Sequence, residues 1–264
     1  MGRADLSSET ARLTSGGTPH RLDQDFEGTR VVVPAFGAPH VFGTRGFPKS
    51  GSGTIDGRPV MTATQVHRAD VIVLDRSQSD WSVSQTETAR IEADALATDR
   101  AGCWVGVYTA DCAPVLLHDP DHGAVAAVHA GWRGALMGAV PVAIQRMVDR
   151  FGSRVSRLEA AIGPHIGVCC FEVGRAVLDV LTAEYEGWER WITARAGDKG
   201  HFDLRGFLRW QLQSAGLEAD RVHAVALCTR CETELLSSYR REGRRPQAMI
   251  SAVRVSQGRL GVAR

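Results

Sequence analysis

The chain has no run of about 18 consecutive apolar residues, so nothing in it reads as a membrane-spanning helix. Its opening, MGRADLSSETARLTSGGTPH, lacks the apolar centre of a secretory signal, and the expectation is a cytoplasmic protein. Charge of one sign is not in excess either: 31 Lys and Arg stand against 30 Asp and Glu. That balance gives no electrostatic case for nucleic acid or an anionic membrane as a partner. Internal repeats and Pro-rich linkers are absent, which argues against a solenoid and against a split into two units. Cysteine is sparse. In a reducing compartment the six thiols read as metal ligands, a nucleophile or buried small residues before they read as disulfides.

What is present is an ordinary globular chain of 264 residues, 44% hydrophobic, long enough to bury a substantial core. Residues 1–22 are polar and aperiodic and read as a flexible lead-in, with 23–264 as one domain and regular structure starting near Thr29. TRVVVPAF, HVFGTRGF, ADVIVLD, LEAAIGPHI, VHAVALC and AMISAVRV read as strands. CWVGVYTADCAPVLLHD and GAVAAVHAG read as two buried strands. GWRGALMGAVPVAIQRMVDRFG is a helix that Pro141 kinks or breaks, and VGRAVLDVLTAEY is a second. DLRGFLRWQLQSAG is a third, with Asp203 as N-cap and Gly216 as its stop, and CETELLSSYRREG a short fourth. The fold class is mixed α/β.

Chemistry concentrates in TADCAPVLLHDPDHGAVAAVHAGWRG. DPDHG between two apolar runs is a strong turn signal. With Asp119–His122 as the loop, His118 pairs with Gly123, and counting back along both strands brings Cys112 opposite His129. Opposed residues share a face with Cβ atoms roughly 4.5–5.5 Å apart, which suits a shared metal or a thiol–imidazole contact. A slip of one residue would separate them. The best third ligand is His67 in TQVHRAD, and a Cys and two His select zinc or copper over magnesium or calcium. Asp94 and Asp111 are the nearest carboxylates, and Asp111, pointing to the other strand face, suits a supporting role better than catalysis. Cys228 and Cys231 form a CxxC whose only obvious partners for a second zinc are the vicinal Cys169 and Cys170, and buried small side chains is the preferred reading.

In order along the chain stand QVH (65–67), EADALAT (92–98), TADCAPVLL (109–117), AAVHAGWRG (126–134), IGPHIGVCCFEVG (162–174), CTRCE (228–232) and SSYRREG (237–243). From about Val41 to Val253 the chain resembles the YfiH-type family, whose members are variously called laccase-domain, polyphenol oxidase or purine nucleoside phosphorylase proteins. The resemblance implies a single α/β domain of layered sheets and helices, a four-layer sandwich related to a deamidase toxin fold. It implies zinc ligands at His67, Cys112 and His129, which the same residues would also make catalytic. It further implies phosphorolysis of adenosine, inosine, guanosine and methylthioadenosine, with adenosine deamination; copper-dependent phenol oxidation is also attached to the family. Arg45 matches a family arginine and is favoured as the phosphate contact, with Arg133, Arg240 and Arg241 also available; Arg133 suits fixing the following helix slightly better than binding substrate. The chain departs from the family in RGFPKSGSGTIDGRP, shorter and lacking an asparagine, and in GRRPQAM, so substrate preference is open to change.

A four-copper oxidase needs roughly ten paired histidines, whereas the nine here are scattered, so one open zinc site fits better. The alternatives are a cysteine hydrolase or amidase using Cys112 with His129 as base, a copper-dependent polyphenol oxidase, and a non-catalytic metal-binding protein.

Overall fold

A computed structural model describes residues 17–48, 53–76, 85–243 and 246–256. Three sheets organise them. The first joins β1 (Arg21–Asp25), β2 (Gly28–Val32), β3 (His40–Gly43), β4 (Thr54–Ile55), β5 (Arg58–Met61), β8 (Trp104–Thr109) and β16 (Met249–Arg254), in the order β1-β2-β3-β16-β8-β5-β4. The second joins β6 (Val71–Leu74), β7 (Ala95–Thr98), β9 (Ala113–Asp119), β10 (Ala124–Ala130), β11 (Glu159–Ile162) and β15 (Val222–Ala224), in the order β15-β11-β9-β10-β7-β6. A small third sheet holds β12 (Glu172–Val173), β13 (Ile192–Ala196) and β14 (Lys199–Phe202). The helices are α1 (Gln85–Thr88), α2 (Trp132–Leu136), α3 (Ala139–Phe151), α4 (Arg175–Glu184), α5 (Leu204–Ser214) and α6 (Tyr239–Glu242).

The central hairpin explains the layering. Along β10 and β9, Val125, Ala127 and Leu116 face the first sheet and pack with Phe42, Val105, Val107 and Met249. The intervening Ala124, Ala126, Val128, Val115 and Leu117 face the helices, against Ile144 and Met147 of α3 and Phe207 and Leu212 of α5. Period-two alternation therefore buries both faces of the strands, and the small alanines let sheet and helix approach closely. The result is the mixed, layered α/β single domain that the sequence indicated. No helix among the described residues is long and apolar enough to cross a membrane.

Several boundaries differ from expectation, each for a local reason. Regular structure begins at Arg21 rather than near Thr29, and Thr18, placed by sequence in the lead-in, exchanges hydrogen bonds with Ala224, 2.8 Å from its amide to Ala224 O and 2.9 Å from Ala224 N to its Oγ1. Residues 1–16 of that lead-in lie outside the described residues. CWVGVYTADCAPVLLHD is two strands in two sheets, β8 and β9, because the chain turns at Asp111 with φ of 90°. The long helix is broken into α2 and α3 at Gly138 (φ 77°), a left-handed position that glycine takes without steric cost, and Pro141 sits in the first turn of α3. Asp203 caps α5 as expected, accepting from Gly206 N at 3.0 Å, worth about 1 kcal/mol. In CETELLSSYRREG only α6 is helical. The third sheet, made of short strands of two to five residues of which β13 is largely exposed, had no legible strand pattern.

The hairpin register also moves. Asp119 pairs with Ala124 and His129 with Pro114, two residues from the expected alignment. Asp119 Oδ1 accepts the amides of Asp121 (2.9 Å) and His122 (3.1 Å), so the turn starts at Asp119's own carboxylate and the loop is 120–123. An even slip preserves faces. Cys112, just before β9, lies beside Gly131, where an added Cβ would come 2.7 Å from its Sγ, and that sulfur still groups with the His129 ring.

Candidate active site and metal ligands

His67, Cys112 and His129 converge at the end of β10, where the first sheet passes into the second. Their ligand atoms lie within 4.8 Å of one another. The His67 and His129 rings meet edge to face with centroids 4.7 Å apart, and Cys112 Sγ is 3.9 Å from His67 Nε2. Zinc bonds of about 2.3 Å to sulfur and 2.0–2.1 Å to nitrogen put tetrahedral S and N ligands about 3.6 Å apart. The donor set and its spacing fit a zinc ion with a fourth position open to the cavity.

Both histidines of the trio are held by something outside it. Asp94, fully buried, accepts His129 Nδ1 at 2.7 Å, which leaves Nε2 as the ring nitrogen free for a ligand role. The same carboxylate accepts the amides of Val66 (3.2 Å), His67 (2.9 Å) and Arg68 (2.7 Å). Hydrogen bonds to an ionised acceptor contribute about 1.5–3 kcal/mol each, enough to hold His67 in its left-handed backbone (φ 61°). Gln65 clasps the end of β8, donating to Tyr108 O and accepting Tyr108 N, both at 2.7 Å. Gly131 is required by space: a Cβ there would lie 2.7 Å from Cys112 Sγ and 3.2 Å from His67 Cδ2.

Burial works against charge at all three groups, yet hydrogen bonding overcomes it. Asp94 would rise on burial, but His129 and the Arg68 and His67 amides hold it below the usual carboxylate value. Cys112 would also rise, but the two imidazoles bring its thiol down to about 7. His129, which burial would lower, is raised to about 9 by Asp94 and Cys112. Lowering the thiol toward neutrality makes thiolate, the form that binds metal, accessible.

The trio opens into a cavity of about 710 Å³, within the range of small-molecule sites. Tyr108, Trp132, Phe171 and Tyr239 supply aromatic wall, and Arg133 and Arg240 supply positive charge. The Arg133 guanidinium lies 4.3 Å from the centre of the Trp132 ring. Arg45 is not among the residues lining this cavity. Its guanidinium donates to Glu242 Oε1 (2.5 Å) and Leu236 O (3.3 Å), so its charge is spent on fixing the segment around α6. Asp111 has the supporting role expected of it: Thr229 Oγ1 and the Arg240 amide each donate to it at 2.6 Å. The described part of the loop after Arg45 forms the β4–β5 hairpin and gives nothing to the cavity, whereas Pro246 and Ala248 line it. Residues 49–52, 244 and 245 lie outside the described residues.

Two things escaped the sequence. Asp94 was named only as a nearby carboxylate; the available signal was an acid directly before the apolar ALAT. The CxxC and its vicinal partners are not buried small side chains, because Cys169 and Cys231 are exposed and Cys170 and Cys228 half-buried. Their sulfurs also lie within 4.8 Å of one another. Of the nine histidines, only His67 and His129 belong to a group able to hold an ion among the described residues. His165 and His118 bond to Gly163 O and Glu159, as polar turn and strand residues do.

A layered α/β frame carrying a possible metal-binding trio of one Cys and two His narrows the class of protein, and similarity to known proteins narrows it further. The chain matches the family described as multi-copper polyphenol oxidoreductase laccase over residues 51–256, and it belongs to that family. It is 37% identical over 180 residues to an adenosine deaminase, RL5, of an unknown prokaryotic organism, covering 68% of each chain. It is 34% identical over 186 residues to a purine nucleoside phosphorylase of Clostridium acetobutylicum, covering 70% of this chain and 76% of that one. Among solved structures it is similar to the hypothetical protein YfiH of Bacillus licheniformis, with a TM-score of 0.68, 28% identity, and 75% and 74% of the two chains covered.

Proposed function

We propose that the chain is a zinc-dependent purine nucleoside phosphorylase of the cytoplasm, cleaving adenosine, inosine, guanosine and methylthioadenosine with phosphate and also deaminating adenosine. The observation that carries this is the open trio of His67, Cys112 and His129, oriented by Asp94, at the floor of a cavity with aromatic walls and two arginines. The relatives named for these two activities support the substrate class.

Zinc held by the trio would supply Lewis acidity to the group under attack. The remaining work falls to side chains of the chain itself. Tyr108, Trp132, Phe171 and Tyr239 offer flat faces on which a purine can stack while the cavity excludes bulk water. Arg133 and Arg240 would bind phosphate and offset the charge that develops as it attacks C1' of the ribose. Asp94 keeps His129 in one tautomer and orientation throughout. Arg45 would take no direct part and would contribute to stability, through its ion pair with Glu242 at the end of α6.

The test is metal content of the purified protein with phosphate-dependent release of base from adenosine and inosine, wild type beside Cys112→Ala. Activity that needs phosphate, tracks zinc and vanishes in the variant is the expected result. A second reading rests on the Cys112 thiol at about 7 beside a His129 at about 9, an ion pair suited to a cysteine hydrolase. A metal-free protein, inert toward nucleosides, whose Cys112 reacts with thiol-directed electrophiles would favour it. Copper in stoichiometric amount with oxygen uptake on phenols would favour the oxidase reading instead.

A further inference from the structure

The parallel pairing of β11 with β15 aligns Ile162 with Ala224, and the two chains then leave the sheet side by side. Beyond the strands the two segments meet again at an isolated parallel bridge between His165 and Cys228, one residue out of the strands' register, with Thr229 N donating to His165 O at 3.0 Å. Each chain then makes a tight turn at the same end of the molecule. In one, Cys170 N and Phe171 N both donate to Gly167 O, at 2.9 and 3.0 Å. In the other, Cys231 N and Glu232 N both donate to Cys228 O, at 3.1 and 2.9 Å. Four cysteines distant in sequence thus arrive as a cluster, two per turn.

We propose that Cys169, Cys170, Cys228 and Cys231 form a second metal site, a closed tetrathiolate that binds zinc and ties the two turns together. Zinc–sulfur bonds of about 2.3 Å require sulfurs about 3.8 Å apart in a tetrahedron. Cys231 Sγ lies 3.8 Å from Cys169 Sγ and 3.5 Å from Cys170 Sγ. A disulfide needs about 2.05 Å, so these sulfurs stand at the spacing of ligands around one ion and not of a bonded pair. Around them are the donors that thiolate sulfur calls for: Gly167 N donates to Cys228 Sγ at 3.2 Å, and Arg230 donates to Cys170 Sγ at 3.6 Å, placing positive charge beside an anionic cluster. No position is left for substrate, which is the mark of a structural site.

The location gives the site a task. Thr229, between two of the cysteines, donates to Asp111, and Asp111 in turn accepts the amide of Arg240, so the CxxC turn is bonded to the residue next to Cys112 and to the cavity wall. Arg241 also donates to the carbonyl oxygens of Thr229 (2.7 Å) and Arg230 (3.0 Å). Crosslinking the turns through zinc would fix that wall.

The experiment is zinc stoichiometry of the full chain, purified under reducing conditions from zinc-supplemented cells, for wild type, Cys231→Ser, Cys169→Ser and Cys112→Ala. The expected result is one equivalent lost in Cys231→Ser and in Cys169→Ser, independent of the equivalent lost in Cys112→Ala. A zinc that survives Cys112→Ala supports the site whatever becomes of the phosphorylase reading. Because a variant can fail to fold, the unmutated protein supplies a second readout: four thiols should be shielded from alkylation until a chelator is added, and cobalt should give the strong thiolate-to-metal absorption of a sulfur-only site. Wild type with no zinc beyond that removed by Cys112→Ala, and with all four thiols alkylated at once without chelator, overturns the proposal. So does a disulfide within the cluster that persists under reducing purification.

Discussion

Two groups of potential ligands stand in one chain, and they are built differently. His67, Cys112 and His129 come from three separate segments, mix nitrogen with sulfur, are oriented by a buried carboxylate and open into a cavity. Cys169, Cys170, Cys228 and Cys231 come from two turns and offer sulfur only. Their neighbours are a backbone amide and an arginine in place of a carboxylate. Three ligands with an open fourth position suit chemistry, and four with none suit structure. Donor count and access, more than the presence of cysteine, separate the two.

The largest effect expected follows from that difference. Cys112→Ala should reduce phosphorolysis to background while leaving the fold and the zinc of the four-cysteine cluster in place, measured by turnover and metal content together. Asp94→Asn comes next. It keeps the shape but supplies one acceptor oxygen where the carboxylate offers two, and loss of such an orienting partner costs about 10–100-fold in metal affinity or activity. Gly131→Ala should fall in the same range by pushing a methyl group against Cys112 Sγ. If either variant lowered the zinc of the cysteine cluster equally, the two groups would not be independent.

Legibility in the sequence divides along the same line. Two of the trio were readable because a hairpin has arithmetic: Cys112, just before β9, and His129 on β10 stay on one side when the register moves by two residues; His67, from a separate segment, was named as the third candidate and by its family motif. The layered α/β class was readable from the apolar strands and from the family motifs. The four cysteines were named together but read as buried small side chains, since their halves are separated by α4, the third sheet and α5, and only the parallel pairing of β11 with β15 brings them together. Arg45 is hard to read for a related reason. A motif arginine carries no mark of whether its charge faces a ligand or a neighbouring Glu242, and that depends on where α6 lands.

Arg240 belongs to both regions, lining the cavity by its side chain and joined by its amide, through Asp111, to the CxxC turn. Arg240→Ala should therefore raise KM for phosphate by about tenfold, the loss of one charged hydrogen bond, with a smaller change in kcat. Arg45→Ala should act on stability alone, by no more than about 1 kcal/mol, as expected of an exposed ion pair. Equal rises in phosphate KM for the two variants would return Arg45 to the binding role that its place outside the cavity argues against.

The smallest effect supplies the baseline for both metal groups. Acid would remove a metal bound at either one, because imidazole and thiolate must be deprotonated to bind, so acid lability by itself does not tell the two apart. Glu159 contributes separately. Burial alone would raise its carboxyl, but the Gly37 amide at 2.9 Å and the His118 ring at 3.1 Å outweigh burial and hold it below its ordinary value of 4.5. A depressed folded value means stabilisation present above the unfolded value and lost as pH falls through the folded one. Glu159→Gln should accordingly lower the melting temperature slightly at neutral pH and converge on wild type in acid below that range. In a Cys112→Ala and Cys231→Ser background the Glu159 increment should persist unchanged while the remaining acid dependence shrinks. An increment that vanished in that background would mean that the start of β11 at Glu159 is coupled to the two candidate metal groups.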